Sequence, residues 1–304
     1  MRHRFLPTIT LIHAVALCLL AGSRCAAWQD KGHQIVNGAA IAALPAPLRA
    51  FYQKHRAYIV EHSVDPDIDK RKDRDRMLRG EPLEGPRHYL DLDRYGPPPF
   101  KALPEEYEAA AVKFGKSTVD ANGTVPWRIE EVYHDLVDAF RRKDDDAILR
   151  HSAWLGHYVG DAHVPFHATK NYDGQLTGQP KVHAYFEATL LTLIDPREIR
   201  PARAQRITRA PHVLVFEWLR ESYRDVKPLL EADAAHGGTK GPDSRDLAGF
   251  AKTAKPIAVD RLTKAASRLA SLWYSAWVEA GRPVFRELSA TSPDAARSGR
   301  APGR

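Results

Sequence analysis

Two pairs of metal-binding residue types, each with a four-residue spacing, constrain the fold of this chain most strongly. His157 and Asp161 form the first pair, and His183 and Glu187 form the second. Residues four apart on an α-helix project from one face, at a separation that two ligands of one metal ion can use. Apolar and aromatic residues surround both pairs, and ionisable groups in such a setting need a partner. Either spacing alone also occurs in solvated surface pairs, but together they favour two helices with inward-facing ligands.

The rest of the chain shows the hydrophobic periodicity of helices and no convincing alternation typical of strands. Helices are predicted over residues 34–44, 48–62, 104–114, 126–142, 147–161, 181–194, 210–230 and 256–280. The densely charged residues 65–76 and the stretch 235–243 are interpreted as loops, and the Gly-Pro-Pro-Pro run at 96–99 is a break. With 43% hydrophobic residues, the chain can bury one sizeable core. We therefore predict an all-α, single-domain helical bundle over residues 28–288, followed by a flexible tail over 289–304.

The N-terminal residues have the pattern of a secretory signal peptide. Arg2 and Arg4 precede a mostly apolar stretch at 6–20, which is too short to span a membrane as a stable helix. Small residues follow and end at Ala27, where we predict cleavage. An uncleaved membrane anchor is the alternative interpretation. The prediction is a secreted or periplasmic protein whose mature chain begins at Trp28.

Cleavage at that point would remove every cysteine and part of the positive charge. The two cysteines, Cys18 and Cys25, both precede Trp28, so the mature protein could form no disulfide. Structural metal is another way to stabilise an exported protein. Loss of three arginines lowers the formal net charge from +7 to +4. A mildly basic protein is compatible with an anionic substrate such as a phosphodiester, although many surfaces are basic for solubility alone.

Three further segments carry metal-binding residue types. The acids of the Asp-Pro-Asp-Ile-Asp segment at 65–69 lie close together, although a hydrophilic turn is the commoner explanation of such a run. His88 precedes two acids at 91 and 93, and a lone histidine is more often a core or surface residue than a ligand. At the mature terminus, the α-amine and carbonyl oxygen of Trp28 could chelate one metal, and His33 could complete that site.

In combination, these motifs resemble the zinc-dependent phospholipase C family of bacteria and the related three-zinc, single-strand-specific nucleases of fungi and plants. Mature proteins of both groups start with a tryptophan that binds zinc through its amine and carbonyl. The segment His-Tyr-Val-Gly-Asp-Ala-His-Val-Pro-Phe-His-Ala at 157–168 is close to the phospholipase signature. The resemblance runs from Trp28 to Glu187, and the order and spacing of the ligand types make it specific.

The resemblance implies three zinc ions per chain. The first would be bound by Asp67, His88, His157 and Asp161. The second would be bound by His167, His183 and Glu187, with positions left for water or substrate. The third would be bound by Trp28, His33 and the shared Asp161. Asp67 is preferred over its rival Asp65 because the resembled family places this ligand in a Pro-Asp or Ala-Asp step before an aromatic or apolar residue, and the Pro-Asp-Ile segment at 66–68 is similar to that pattern. His163 is expected to support the ligands from outside the site.

This ligand set implies hydrolysis of phosphate esters. Asp67 and Asp161 are the predicted catalytic carboxylates, because two zinc ions held close by Asp161 can bridge a hydroxide. The expected reaction is in-line attack of that hydroxide on phosphorus, with the third metal stabilising the departing oxygen. Ligands that are all nitrogen or oxygen suit zinc and would also accept manganese or cobalt.

The substrate is less constrained than the chemistry. By comparison with the two resembled families, Glu187 and the short interval between His167 and His183 favour a phospholipase, and a phospholipid substrate makes peripheral contact with a membrane possible. Gly32 before His33, and the Asp-Ala-His step at 161–163, resemble the nucleases, which act on single-stranded nucleic acid. A catalytically idle zinc protein that binds phosphate head groups or nucleic acid is the alternative outside the enzymes. No obligate protein partner is predicted.

Overall fold

The structure is a computed structural model that describes residues 29–285. The predicted signal peptide, Trp28 and the predicted C-terminal tail lie outside the described residues. Within those limits the chain is all-α and contains no strand, as predicted. The α-helices are α1 (Gln29–Ala43), α2 (Ala46–Lys54), α3 (Arg56–Glu61), α4 (Asp65–Asp69), α5 (Asp73–Arg79), α6 (Tyr107–Phe114), α7 (Lys116–Ala121), α8 (Val125–Arg142), α9 (Asp145–Asp161), α10 (Val182–Ala184), α11 (Pro211–Arg224), α12 (Val226–Ala235) and α13 (Leu247–Glu279).

The core of the bundle is built by its longest helices. Helix α9 packs along α8, α1 packs along α13, and α11 covers α8 from another side. Large side chains such as Trp273, Tyr52 and Phe140 are fully buried between them. None of the helices between residues 29 and 285 combines the length and the apolar character needed to cross a membrane.

Helix α9, which carries His157 and Asp161, is fixed at both ends. The side chain of Asp144 accepts a hydrogen bond from the backbone N–H of Ala147 at 3.0 Å, which caps the first turn. The helix ends at Asp161, and a 3₁₀ turn at Pro165–Ala168 follows. Proline at the start of that turn redirects the chain, so that His167 returns toward the face of α9 that carries Asp161.

The prediction of a loop over 65–76 was wrong, because this segment is helical. Helix α4, a 3₁₀ turn at Lys70–Lys72 and helix α5 follow each other without a gap. Ion pairs between residues three apart join the charged side chains along the segment: Asp67 with Lys70, Asp69 with Lys72, and Asp73 with Arg76. Oppositely charged residues at this spacing stabilise a helix, so the dense charge favours helix here.

Several other helix boundaries differ from prediction. Helix α13 begins at Leu247 and continues through Pro256, where the prediction had placed its start; Asp246 caps it through the N–H of Ala248. The segments 48–62 and 210–230 are each divided, at His55 and at Asp225 respectively. Helix α7 lay in a region where no helix was predicted, and the predicted loop at 235–243 contains two 3₁₀ turns.

The segment that carries the second His/acid pair also differs from a regular helix. One turn of α-helix at Val182–Ala184 continues as a π-helix over Tyr185–Thr189 and as a 3₁₀ turn over Leu190–Leu193. π-Helical turns are rare and occur frequently at functional sites. Here the π turn carries Glu187, whose side chain is fully buried.

Candidate metal centre

Eight of the predicted ligand residues converge in three groups that could each hold a metal ion. Within each group the potential ligand atoms lie within 4.8 Å of one another. The groups are His33, His157 and Asp161; Asp67, His88 and His157; and His167, His183 and Glu187. These are all the predicted ligands that fall within residues 29–285. Seven of the eight are buried, and Asp67 is partly buried. The sequence-based ligand set therefore meets at one place in the fold.

Asp161 lies between the three groups. Its Oδ2 atom is 2.9 Å from Nδ1 of His88 and 3.2 Å from Nε2 of His157. Its Oδ1 atom is 3.3 Å from Nδ1 of His167 and 3.8 Å from Nε2 of His33. The carboxylate thus directs one oxygen toward His88 and His157 and the other toward His33 and His167. This is the arrangement that a bridging carboxylate requires.

The structure places Asp67, and not Asp65, in the metal-binding groups. Oδ1 of Asp67 is 3.7 Å from Nδ1 of His88. The carboxylate of Asp65 instead contacts His62, with 2.8 Å between Oδ2 and Nδ1. Helix α4 explains the difference, because residues two apart on a helix project in different directions.

The third group joins the π turn to the 3₁₀ turn after α9. Nε2 of His183 lies 2.9 Å from Oε2 of Glu187, and Nε2 of His167 lies 3.7 Å from Oε1 of the same carboxylate. Neither oxygen of Glu187 makes a hydrogen bond of good geometry with the described residues. A fully buried carboxylate without hydrogen bonds is costly unless it is neutralised, and a metal cation would neutralise it.

The protonation states in the centre suit metal binding. Burial, reinforced by His157, lowers the pKa of His33 to about 3, and burial also lowers the pKa of His88. Burial disfavours the charged form of Asp161, but His157 and His167 outweigh it and hold the pKa of that carboxyl well below its usual value. Metals bind neutral imidazole and ionised carboxylate.

His157 is the exception among these groups. Burial opposes its protonation, but the carboxylates of Asp161 and Asp67 outweigh burial and raise its pKa. A bound cation would reverse this balance, because it would replace the proton as the positive charge beside the two carboxylates. Nδ1 of His157 is 2.8 Å from the carbonyl oxygen of Ser63 and donates its proton there, which leaves Nε2 as the ligand atom.

His163 lies outside the three groups and supports the end of α9, as the sequence suggested. Its Nδ1 atom donates to the carbonyl oxygen of Val159 at 2.7 Å, and Arg268 donates to its Nε2 atom at 2.8 Å. Because arginine can only donate, this contact fixes the tautomer of His163. Arg268 also donates to Glu221 at 2.7 Å. These contacts hold the turn that directly follows Asp161.

A cavity of about 410 Å³ opens onto the centre. His88, His167 and His183 lie in its wall, and its other lining residues are Lys70, Gly85, Pro86, Tyr89, Asp91, Arg94, Ala121, Phe166 and Tyr172. Three charged residues of this wall, Lys70, Asp91 and Arg94, were not assigned to the site from sequence. A signal was present for Lys70, which follows the ligand Asp67 by three residues in a continuous helical segment and so lies about one turn from it.

Lys70 and Asp91 differ in their electrostatic environments. Nζ of Lys70 lies 2.5 Å from Oδ1 of Asp67. Burial opposes the charge of Lys70, but Asp67 outweighs it and raises the pKa of the ammonium, which therefore stays charged. Burial raises the pKa of Asp91 to about 6, although Arg94 acts in the opposite direction. The wall thus offers two permanent cations, Lys70 and Arg94, and one acid that titrates near neutrality.

In comparisons with known proteins, no family model matches this chain, and no curated protein matches it in sequence. The resemblance to zinc-dependent phospholipases C and three-zinc nucleases therefore stays a prediction from the ligand residues and their spacing.

Proposed function

We propose that this protein is an exported, zinc-dependent hydrolase of phosphate ester bonds, of the phospholipase C type. The position of Asp161 carries the proposal: its two oxygens lie 2.9–3.8 Å from imidazole nitrogens of all three metal-binding groups. A single buried carboxylate shared in this way supports a cluster of metals more than it supports independent sites. Export is inferred from the residue pattern of 1–27.

The residues that would hold each metal are those that the resemblance implies, and all of them within residues 29–285 belong to the three groups. Asp67, His88, His157 and Asp161 would bind the first zinc ion, and His167, His183 and Glu187 the second. His33 and Asp161 would bind the third, together with Trp28, which lies outside the described residues. The donors are nitrogen and oxygen atoms only, which suits zinc. When bound, zinc ions lower the pKa of water toward neutrality and neutralise charge on phosphate oxygens.

The protein residues supply orientation and charge. Asp161 and Asp67 hold their ligand groups together, and the carbonyl of Ser63 fixes the tautomer of His157. Lys70 lies between Asp67 and the cavity, where its ammonium can donate to a non-bridging oxygen of a bound phosphodiester. Because Lys70 is 29% exposed, it can leave Asp67 for the substrate without a large rearrangement.

Two observations favour a phospholipid over a nucleic acid. The group of His167 and His183 has Glu187 as its acidic residue, and only 15 residues separate His167 from His183. The nuclease alternative retains one supporting observation, since Tyr172 is 46% exposed and lines the cavity, where an aromatic ring could stack on a base.

The test is a comparison of substrates with the mature protein loaded with zinc. Phosphatidylcholine vesicles, single-stranded DNA and a generic aryl phosphodiester are incubated in parallel with the wild type and with Asp161→Asn. We expect cleavage of phosphatidylcholine and of the aryl ester by the wild type, and little by the variant. Preferential cleavage of DNA would replace the phospholipase with the nuclease. Cleavage of none of the three would favour an idle binding protein.

A further inference from the structure

The imidazole of His88 has one nitrogen inside the metal centre and one behind it. Nδ1 lies 2.9 Å from Oδ2 of Asp161 and 3.7 Å from Oδ1 of Asp67. Nε2 points the other way and is buried, with no hydrogen bond to any described residue. Oε1 of Glu84 lies 3.7 Å from this nitrogen. This distance exceeds the upper limit of a normal N–H···O hydrogen bond by about 0.5 Å, so the side chains must approach each other for the bond to form.

Glu84 is held beside His88 by other residues. Its side chain is 5% exposed. The hydroxyl of Tyr158 donates to Oε1, the same oxygen that faces His88, and Arg87 donates to Oε2 at 3.3 Å. Burial raises the pKa of Tyr158 well above its usual value, so this hydroxyl keeps the proton that it donates. The guanidinium of Arg128 lies 5.1 Å over the ring of Tyr158 and fixes that side chain in turn.

The two histidines of the group formed by Asp67, His88 and His157 are thus supported differently. His157 donates to the neutral carbonyl of Ser63, whereas His88 faces an acidic side chain. A carboxylate behind a ligating histidine fixes its tautomer and ring orientation, and makes the opposite nitrogen a stronger donor to a metal. Tyr158 lies on α9 together with His157 and Asp161. This one helix therefore carries two predicted metal ligands and the hydroxyl that holds the carboxylate of Glu84.

We propose that Glu84 is a positioning residue of the first metal site, accepting the Nε2 proton of His88 so that the Nδ1 lone pair is available to the metal. The inference rests on the metal centre of the proposed function and does not depend on the substrate.

The test measures metal binding by three variants. Glu84→Gln keeps the size of the side chain and removes its charge, and Glu84→Asp keeps the charge. Glu81→Gln is the matched control, because Glu81 is 47% exposed and pairs only with Arg79 among the described residues. Each protein is loaded with zinc and dialysed against increasing concentrations of a chelator, and the zinc that remains is counted. Melting temperatures are recorded with and without metal.

We expect Glu84→Gln to lose one zinc ion at a chelator concentration at which the wild type and Glu81→Gln keep all of theirs. The affinity of that site should fall by roughly 10–100-fold. Glu84→Asp should fall between Glu84→Gln and the wild type. Without metal, Glu84→Gln should melt close to the metal-free wild type, since a neutral amide is easier to bury than a carboxylate.

Retention of all zinc by Glu84→Gln at the wild-type chelator concentration would overturn the proposal. Equal losses of melting temperature with and without metal would also overturn it, because Glu84 would then act through packing alone. A wild type that binds no zinc would overturn the metal centre and this inference together. A wild type that binds zinc but cleaves no phosphodiester would overturn only the proposed function.

Discussion

His88 and Asp161 are 73 residues apart in the chain, yet Nδ1 of His88 lies 2.9 Å from Oδ2 of Asp161 in the buried centre. The contact joins the turn after α5 to the end of α9, and it brings together residues that the sequence could only place on separate segments. Because both side chains are buried and of metal-binding type, their meeting supports a metal between the segments better than either motif alone.

Asp161→Asn is expected to be the most damaging single substitution. Asparagine has nearly the same shape but no charge, so it should weaken at least two metals at once. We expect zinc content to fall by two ions per chain and turnover to fall by roughly 100-fold or more. Asp65→Asn is the matched control, because Asp65 pairs with His62 outside the centre and should leave both quantities unchanged. If Asp161→Asn keeps most of its activity, the bridging role is wrong.

The metals should also stabilise the fold. The three groups draw ligands from α1, α4, α9 and the segments around His88, His167 and His183, so metal would connect much of the bundle. A strong chelator should lower the melting temperature of the mature protein by roughly 10 °C or more, as expected for the loss of a few kcal/mol. Reductant should have no effect, since both cysteines precede Trp28. An identical melting curve in chelator would show that the metals are peripheral.

Helical spacing made most of the metal centre predictable. The pairs on α9 and on the π turn follow from the four-residue period, and apolar neighbours indicated their burial. The helices at 65–79 were not predicted, because the charged residues that form their stabilising ion pairs were interpreted as the polar residues of a loop. The role of Glu84 could not be predicted, since it depends on a contact with Tyr158, 74 residues later in the chain.

Zinc binding by Trp28 should depend on cleavage of the predicted signal peptide. If Trp28 binds zinc through its α-amine, export is required for full activity, because only cleavage creates that amine. An α-amine has an unperturbed pKa of about 8, so zinc can displace its proton at modest cost near neutral pH. A methionine before Trp28 would convert the amine into an amide, which is a poor ligand.

The comparison for this prediction uses processed protein and protein that begins Met-Trp28, both loaded with zinc. The second form should contain about one zinc ion less, as expected when one site loses a chelating ligand, and should turn over more slowly. Equal zinc content and equal turnover would remove Trp28 from the site.

A contact between His212 and Glu130, outside the metal centre, should make the free energy of unfolding depend on pH. Nδ1 of His212, in the first turn of α11, lies 2.8 Å from the carboxylate of Glu130 on α8. Burial opposes protonation of His212, but Glu130 and Glu106 outweigh it and raise its pKa above 6.5. For a raised pKa, the stabilisation is fully present below the unfolded value and is lost as the pH rises through the folded value.

His212→Asn should therefore destabilise the protein more at about pH 6 than at about pH 9. The expected loss at the lower pH is about 2 kcal/mol, the order of a charge-assisted hydrogen bond. Urea unfolding at both pH values measures it, with His134→Asn, an exposed histidine on α8, as control. Equal losses at both pH values would show that the charge of His212 contributes nothing.

The most direct test of the account is a zinc titration of the metal-free mature protein, with bound zinc and phosphodiester turnover measured on the same samples. The account predicts no turnover without metal, a rise as zinc is added, and saturation near three ions per chain, as the three ligand groups imply. Full turnover by the metal-free protein, or binding that saturates at one ion or fewer, would contradict it.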